Sequence, residues 1–188
     1  MNGSQPVAVE LQNTCQQAWG SFREALVAAI AAVAEPYFRV RRFNDDAVWR
    51  ERAYCYELYH QLRIKLRDNF PYILHGEIDK AGHEHVVRHF GNMRRPNPDF
   101  ILHTPGHEDN LVVMEVKASD EGLSPIKKDL RKIKKFMRGV GYQHGVMLLF
   151  GSELRHEAKD FSRWRDVEVL WHGTVGQPPV TICKRSGT

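Results

Sequence analysis

Cysteine is scarce in this sequence, and no apolar run is long enough to suggest a membrane span. The cysteines Cys15, Cys55 and Cys183 lie far apart and form no CxxC pair. This sparse, odd set excludes a disulfide framework and a cysteine zinc site, and it is typical of a reducing compartment. The apolar run ALVAAIAAVAEP contains Ala32-Val33-Ala34, which resembles a signal-peptidase cleavage site. The run is far shorter than the roughly 20 residues of a membrane span. We interpret it as a buried helix face and expect a cytoplasmic protein without membrane segments.

The chain also lacks internal repeats, low-complexity tracts and a large excess of charge of either sign. With 188 residues, 42% of them apolar, it is long enough for one domain with a sizeable core and short for two. The net charge of +4 mildly favours an anionic partner such as nucleic acid.

Periodicity predicts helices in the first third of the chain. We expect one helix over residues 7–34, with or without a break at Gly20, ending before Pro36. A second helix is expected from residue 44 or 45, where a capping side chain is present, to about residue 69. The basic stretch YFRVRRFNDD between them is interpreted as a connector.

Strand patterns dominate the centre of the chain. They occur in YILHGEI, HVVRHF, DFILH, LVVMEVK and GVMLLF, and the first two flank a hairpin turn, DKAGH. A strongly amphipathic helix opened by Ser124 and Pro125 and closed by Gly139 precedes GVMLLF. A helix near residues 153–163 and the strands VEVLW and VTIC follow. The order of elements predicts an α/β sandwich with a mixed sheet.

Charged residues interrupt the apolar pattern at one end of LVVMEVK. Because residues two apart share a face of a strand, Glu115 and Lys117 point the same way, and Leu111 and Val113 are expected on that face. Asp99 begins the preceding strand. An antiparallel return would therefore bring Asp99 beside Glu115.

This group of residues predicts a metal site. The carboxylates of Asp99 and Glu115 and the carbonyl of Val116 form an all-oxygen set suited to Mg²⁺ or Mn²⁺. Lys117 could hold or deprotonate a water molecule. Together these groups could activate a nucleophile and stabilise the charge of a phosphodiester transition state.

The second helix supplies a third acid. Glu57 lies at the edge of an apolar stripe, from which it could reach a neighbouring sheet. The stripe consists of Cys55, Leu58, Leu62 and Leu66.

A helical Glu57, the pair Pro98-Asp99 and a Glu115-Val116-Lys117 strand followed by a helix together resemble the PD-(D/E)XK nuclease superfamily. The resemblance implies a restriction-endonuclease-like fold, a three-layer sandwich whose mixed sheet has an αβββαβ core. It covers residues 46–150. Residues 1–40 would then be a helical extension and residues 151–188 a C-terminal extension, within a single domain of residues 1–188.

The resemblance also implies roles for the site residues. Asp99 and Glu115 would bind Mg²⁺ or Mn²⁺, Glu57 would assist them and Lys117 would handle the attacking water. Some members of the superfamily place a further lysine on the helix after this strand, and either Lys128 or Lys132 could serve here.

Simpler interpretations compete with these roles. Glu115 and Lys117 could be an ion pair at a sheet edge, Asp99 could merely start a turn, and Glu51 lies in the same helix as Glu57. A second Glu-x-Lys triplet, residues 157–159, lacks a strand pattern and an upstream Pro-Asp pair.

Other charged and imidazole side chains suggest surfaces rather than sites. The amphipathic helix is strongly basic on its polar side, which is either a solvated face or a track for phosphates. The candidate nucleic-acid contacts are Lys127, Lys128, Arg131, Lys132, Arg94 and Arg95, with Arg39, Arg41 and Arg42 as secondary candidates. His83, His85 and His89 share a predicted strand face, but no cysteine or acid cluster completes a zinc set.

We therefore expect a Mg²⁺-dependent nuclease that hydrolyses DNA in preference to RNA. One alternative is a non-catalytic nucleic-acid-binding or assembly subunit that keeps the fold. Another is a nuclease component that needs a separate motor or sensor protein, as in restriction or phage defence. By analogy with small nucleases, a homodimer formed through the N-terminal helix is also conceivable.

Overall fold

The computed structural model describes residues 4–43, 46–77 and 97–183, with side chains from residue 14 onward. The helices are α1 (Ser4–Ala31), α2 (Glu35–Phe38), α3 (Glu51–Lys65) and α4 (Leu123–Gly139). The strands are β1 (Val40–Arg41), β2 (Ala47–Val48), β3 (Ile73–Gly76), β4 (Phe100–His103), β5 (Asn110–Ala118), β6 (His144–Phe150), β7 (Val167–His172) and β8 (Val180–Cys183). A short 3₁₀ helix covers Ala158–Phe161.

Six of the described strands form one mixed sheet in the order β3-β4-β5-β6-β7-β8. The pairs β5/β6 and β6/β7 are parallel, and the other three are antiparallel. Helix α4 connects the parallel strands β5 and β6, as a crossover must. From α3 to β6 the described elements follow the order α-β-β-β-α-β. The expected α/β class with a mixed sheet is confirmed.

Two apolar cores lie on opposite faces of this sheet. Helices α1, α2 and α3 cover one face, where Phe22, Leu26 and Leu58 are fully buried. Helix α4 and the 3₁₀ helix cover the other face. The predicted apolar stripe of α4 is the part that packs there, because Ile126 and Leu130 are fully buried.

Helix α4 packs closely on the sheet at Gly145 in β6. A Cβ atom at Gly145 would lie 2.5 Å from Cγ2 of Ile133 and 2.6 Å from Sδ of Met137. Glycine therefore sets the distance between the helix and the sheet. That distance in turn places the polar flank of α4 beside the end of β5.

Strand β5 is buried on both faces, which is typical of a central strand. Val113 faces α4, together with Glu115 and Lys117, while Val112 faces α1 and α3. The prediction that Leu111 shares the face of Glu115 was wrong, since Leu111 belongs to the core beneath α1 and α3. A bulge between β4 and β5 breaks the strict alternation at this point.

The N-terminal helices differ from the predicted ones in their ends. Helix α1 runs through Gly20 without a break, because Gly20 is exposed while its neighbours Trp19 and Phe22 are anchored in the core. Pro36 does not end this helix but begins α2. The prediction that the second helix begins at residue 44 or 45 was wrong, since Ala47 and Val48 form β2 and α3 begins only at Glu51. Helix α3 ends at Lys65, four residues before the predicted end.

Two further segments were assigned incorrectly from the sequence. The basic connector contains β1, which forms an antiparallel ribbon with β2 in the segment predicted as the start of the second helix, and Val40 pairs with Val48. The predicted helix at residues 153–163 is only the 3₁₀ turn, whose capping box joins Glu157 and Asp160. Phe161 is its one buried residue, too little apolar surface to hold a longer helix against the core.

Some predictions fall outside the described residues. These are the strand HVVRHF, the turn DKAGH, and the side chains of His83, His85, His89, Arg94 and Arg95. Within residues 4–43, 46–77 and 97–183, no helix combines the length and apolar character needed to cross a bilayer.

Candidate functional site

The charged residues of the predicted site meet where β5 runs past the start of β4. Phe100, the first residue of β4, pairs with Met114, whereas β5 continues to Ala118 along β6. Asp99 precedes β4 directly. Among the described residues, the last residues of β5 therefore have one edge without a strand partner, and polar side chains can approach them there.

Asp99 binds this free edge. Its Oδ2 accepts a hydrogen bond of 2.7 Å from the backbone N–H of Val116. Its own carbonyl accepts a hydrogen bond from the N–H of Glu77, which fixes the turn into β4. Because the N–H and C=O of one strand residue point to the same edge, the Val116 carbonyl is directed toward Asp99.

Glu115 is the most buried acid of the group, with 2% of its surface exposed. Its Oε2 lies 2.7 Å from Nζ of Lys132 on α4. Its Oε1 is buried and has no hydrogen-bond partner among the residues that the structure describes. Oε2 is thus paired with Lys132, whereas Oε1 accepts no hydrogen bond from the described residues.

Lys117 pairs with acids of two helices. Its Nζ lies 2.7 Å from Oε2 of Glu51 at the start of α3 and 3.3 Å from Oδ2 of Asp129 on α4. Asp129 also approaches Lys132 at 3.7 Å. Asp129 therefore links the two lysines, and Glu51 reaches the site past the free edge of β5.

Burial makes both central acids hard to ionise, and repulsion by neighbouring acids adds to the effect of burial. Burial raises the pKa of Glu115 well above its ordinary value, and the nearby Asp99 raises it further, although Lys132 opposes the shift. Burial also raises the pKa of Asp99, while the hydrogen bond from Val116 opposes that shift. A cation placed between them would relieve both effects.

The two lysines are shifted toward their charged forms. Burial lowers the pKa of Lys117, but Glu51 and Asp129 outweigh it and raise the pKa above its ordinary value. Burial also lowers the pKa of Lys132, but Glu115 and Asp129 outweigh burial and raise this pKa above its ordinary value. Both side chains are therefore ammonium groups at neutral pH.

The donor set fits a hard divalent cation. Four carboxylates and two ammonium groups leave a formal charge of −2 when all are ionised. The orphaned Oε1 of Glu115, a carboxylate oxygen of Asp99 and the Val116 carbonyl are the oxygen ligands that Mg²⁺ prefers. In the described part of the chain, no group of three or more His, Cys, Asp and Glu side chains is already arranged around one point. The carbonyl and water would have to complete the shell.

Of the predicted site residues, Asp99, Glu115, Val116 and Lys117 come together. Glu57 contacts a residue of its own helix instead, since its carboxylate accepts a hydrogen bond of 2.8 Å from Gln61. The helical acid that reaches the site is Glu51.

Of the two candidate lysines on α4, Lys132 is the one at the site. It also donates a hydrogen bond of 3.3 Å to the carbonyl of Asn97. Lys128 and Arg131 are exposed, and Lys127 is partly exposed.

Glu51 and Asp129 were not predicted as site residues, although the sequence carries weak signals for both. Asp129 is the only acid in α4, in a helix otherwise rich in lysine and arginine, and it lies three residues before Lys132. Glu51 is the one acid in the first turn of α3. Neither signal says which partner the side chain finds.

A scan of protein-family models found no family that matches this chain, and a search of curated proteins found no significant match. The relation to the PD-(D/E)XK superfamily therefore stays a prediction that rests on residues and their geometry.

Proposed function

We propose that the protein is a divalent-metal-dependent nuclease with a PD-(D/E)XK site, acting on DNA in preference to RNA. The observation that carries the proposal is the convergence of Asp99 and Glu115 at the free edge of β5, with a buried carboxylate oxygen unpaired. The neighbouring lysines stay protonated, because Glu51 and Asp129 raise the pKa of Lys117, and Glu115 and Asp129 raise that of Lys132. Such an arrangement suits a reaction in which negative charge builds up on phosphate.

Asp99, Glu115 and the Val116 carbonyl would hold Mg²⁺ or Mn²⁺. When bound, the ion supplies Lewis-acid polarisation of a phosphate oxygen and lowers the pKa of a coordinated water. Lys132 now occupies one oxygen of Glu115 at 2.7 Å. Because only Oε2 is taken, Oε1 remains available as a ligand without loss of that ion pair.

Lys117 would act as a charged hydrogen-bond donor rather than as a base. Since its pKa is raised, it cannot readily accept a proton at neutral pH. Its ammonium group can instead hold the attacking water or stabilise the phosphate oxygens in the transition state. Glu51 and Asp129 would position it, because they fix Nζ from two sides.

The test is a cleavage assay of the full chain on supercoiled plasmid and on linear single- and double-stranded DNA. Each substrate is incubated with Mg²⁺, with Mn²⁺ and with EDTA. We expect cleavage with either metal, none with EDTA and none with Asp99→Ala. The matched control is Lys159→Ala, which changes the exposed triplet and should cut like the wild type.

Cleavage by Asp99→Ala at the wild-type rate would remove Asp99 from the mechanism. Wild-type protein that is folded but inactive under every condition would contradict the stand-alone nuclease. The thermal melt of each variant, recorded beside the assay, separates lost chemistry from lost folding.

A second candidate is a nucleic-acid-binding or assembly subunit that keeps the site without using it, or that cuts only with a partner protein. The specific observation in its favour is that Lys117 and Lys132 already neutralise acids of the site. These ion pairs neutralise part of the negative charge of the site without a metal ion. Binding of DNA in EDTA, together with inactivity in Mg²⁺, would support this candidate.

A further inference from the structure

A second charged surface of α4 lies on the side away from the proposed metal site. At about 100° per residue, Asp129 and Lys132 lie on one flank of the apolar stripe. Arg131, Lys134 and Arg138 lie on the other flank, next to β7. The two flanks of the helix therefore carry different side chains: one contributes to the proposed metal site, and the other is purely basic.

This other flank borders a groove of about 320 Å³, which we call the α4 groove. Its lining consists of Arg131, Lys134, Lys135, Arg138, Gly139 and Trp164. Four of these six residues are cationic, and one is a tryptophan that is partly exposed. The combination of a basic wall with an aromatic ring is the chemistry that binds nucleic-acid strands, phosphates on the cations and a base on the ring.

The ring and its nearest cation are held in place. Nζ of Lys134 lies 5.1 Å from the centre of the Trp164 ring, within the range of a cation–π contact. Lys134 also pairs with Asp166 at 2.9 Å, and Arg138 approaches the same carboxylate at 3.9 Å. Asp166 thus offsets one of the four positive charges that line the groove.

The spacing of the cations suits an extended strand. Positive side chains recur at Lys127, Arg131, Lys134 and Arg138, so that they form one row along the helix. The row is roughly 16 Å long. This length covers several phosphates of a single strand, whereas a lone anion would occupy only one of its positions.

We infer that the α4 groove binds a single-stranded segment of nucleic acid, with a base stacked on Trp164 and the backbone along Arg131, Lys134 and Arg138. The class of ligand rests on the proposed function, but binding in the groove does not require cleavage. The groove would hold a strand beside the helix that carries Asp129 and Lys132 on its other flank. It would thus contribute affinity and a preference for single-stranded or frayed substrates.

The test measures binding without cleavage. Fluorescein-labelled oligothymidylate, a duplex of the same length and polyglutamate are titrated in EDTA against the full chain, and fluorescence anisotropy gives the affinity at several salt concentrations. The charge variant is Arg131→Glu combined with Arg138→Glu. Its matched control is Arg67→Glu, since Arg67 is exposed beyond the end of α3 on the opposite side of the sheet.

We expect the charge variant to lose at least tenfold in affinity for oligothymidylate. The slope of log affinity against log salt should fall by about two, about one for each phosphate contact removed. Arg67→Glu should change neither quantity appreciably. Trp164→Leu should weaken binding at least about fivefold, whereas Trp164→Phe, which keeps an aromatic face, should bind nearly as well as the wild type.

Two results would overturn the inference. One is wild-type binding by the charge variant and by Trp164→Leu, with melting curves that show both to be folded. The other is loss of binding in the charge variant while Trp164→Leu and Trp164→Phe remain equal and polyglutamate competes as well as DNA does. That second pattern would identify the groove as a site for acidic peptides.

Failure of the nuclease proposal gives a different result. If the wild type binds oligothymidylate through the groove but cuts nothing in Mg²⁺ or Mn²⁺, the inference stands and the nuclease does not. If the wild type cuts DNA and the groove variants bind and cut as it does, the nuclease stands and the inference fails.

Discussion

The chain contains two Glu-x-Lys triplets, residues 115–117 and residues 157–159, and their surroundings are opposite. In the second triplet Lys159 pairs with Glu157 of the same triplet at 2.8 Å, and the two side chains are 75% and 71% exposed. In the first triplet Glu115 and Lys117 each pair with residues of other elements, and Glu115 is almost fully buried. The same three-residue pattern is a local surface contact in one place and the centre of a four-acid, two-lysine network in the other.

The physical reason is the element that carries each triplet. A buried central strand holds Glu115 and Lys117 on one face beneath α4, where water cannot solvate their charges, so partners from α3 and α4 must do so. The 3₁₀ turn that includes Lys159 is on the surface, and water solvates both of its charges. Burial therefore converts a common sequence pattern into a group with perturbed ionisation.

The largest expected difference between the triplets is in catalysis. Under the nuclease proposal, Glu115→Gln should lower the initial rate of DNA cleavage about 10²- to 10³-fold, because a neutral amide is a weaker ligand for a divalent ion and balances less charge. Glu157→Gln should leave the rate unchanged. The measurement is the initial rate in Mg²⁺ with both variants folded, and equal rates for the two variants would contradict the role of Glu115.

Removal of the lysine that pairs with the glutamate should lower the free energy of unfolding far more at the first triplet than at the second. Lys132→Ala leaves Glu115 buried without its cation, and we expect the free energy of unfolding to fall by about 2 kcal/mol. Lys159→Ala should change it by less than about 0.5 kcal/mol. Urea unfolding of both variants in EDTA measures this difference, and a Lys132→Ala variant as stable as Lys159→Ala would show that the ion pair contributes little.

A divalent ion should stabilise only a protein with an intact first triplet site. At ten times its Kd, Mg²⁺ would add about 1.4 kcal/mol, which for a chain of this size corresponds to about 3–6 °C in Tm. We expect this rise in the wild type and in Glu157→Gln, but not in Asp99→Asn. A rise of the same size in Asp99→Asn would place the ion elsewhere on the protein.

The first triplet should also make stability depend on pH. Since the folded state raises the pKa of Glu115 above its ordinary value of 4.5, this group contributes stability that is complete below about pH 4.5 and is lost as pH rises through the folded pKa. Glu115→Gln removes the titration, so it should become more stable relative to the wild type as pH increases. Urea unfolding in EDTA across this range tests the sign. A wild type that gains stability relative to Glu115→Gln as pH increases would contradict it.

The smallest effect is expected within the exposed triplet. The pair between Glu157 and Lys159 should contribute no more than about 0.5 kcal/mol, because both side chains are solvated. A double-mutant cycle of Glu157→Gln and Lys159→Ala in thermal unfolding measures the coupling. A larger coupling would mean that exposure alone does not distinguish the two triplets.

Much of the sheet could be predicted because its strands are short, apolar and buried on both faces. GVMLLF and LVVMEVK are both strands in the structure. The first is one residue longer at its start, and the second is one residue longer at each end. Helix α4 was equally clear, since its stripe of Ile126, Leu130 and Ile133 keeps helical spacing throughout. The ribbon β1/β2 was missed because each of its strands has only two residues, too few to show any period.

Part of the candidate site was visible for the same reason. Charges inside an apolar strand are conspicuous, so Asp99, Glu115 and Lys117 could be found without coordinates. Glu51 could not be preferred over Glu57, because both are ordinary glutamates on one helix. The choice depends on where the start of α3 lies relative to the end of β5, and no local pattern encodes that distance.

The sequence by itself thus determined the longer helices, the central strands of the sheet, most of their apolar faces and the positions at which a charge interrupts an apolar segment. Only the tertiary structure decided which partners those charges have: Lys132 for Glu115, Glu51 and Asp129 for Lys117, and the Val116 amide for Asp99. The reason is that periodicity is a property of neighbours along the chain, whereas an ion pair depends on a distance of a few ångströms between elements far apart in sequence. That distance is set by packing, as at Gly145, where the absence of a side chain brings α4 down onto the sheet.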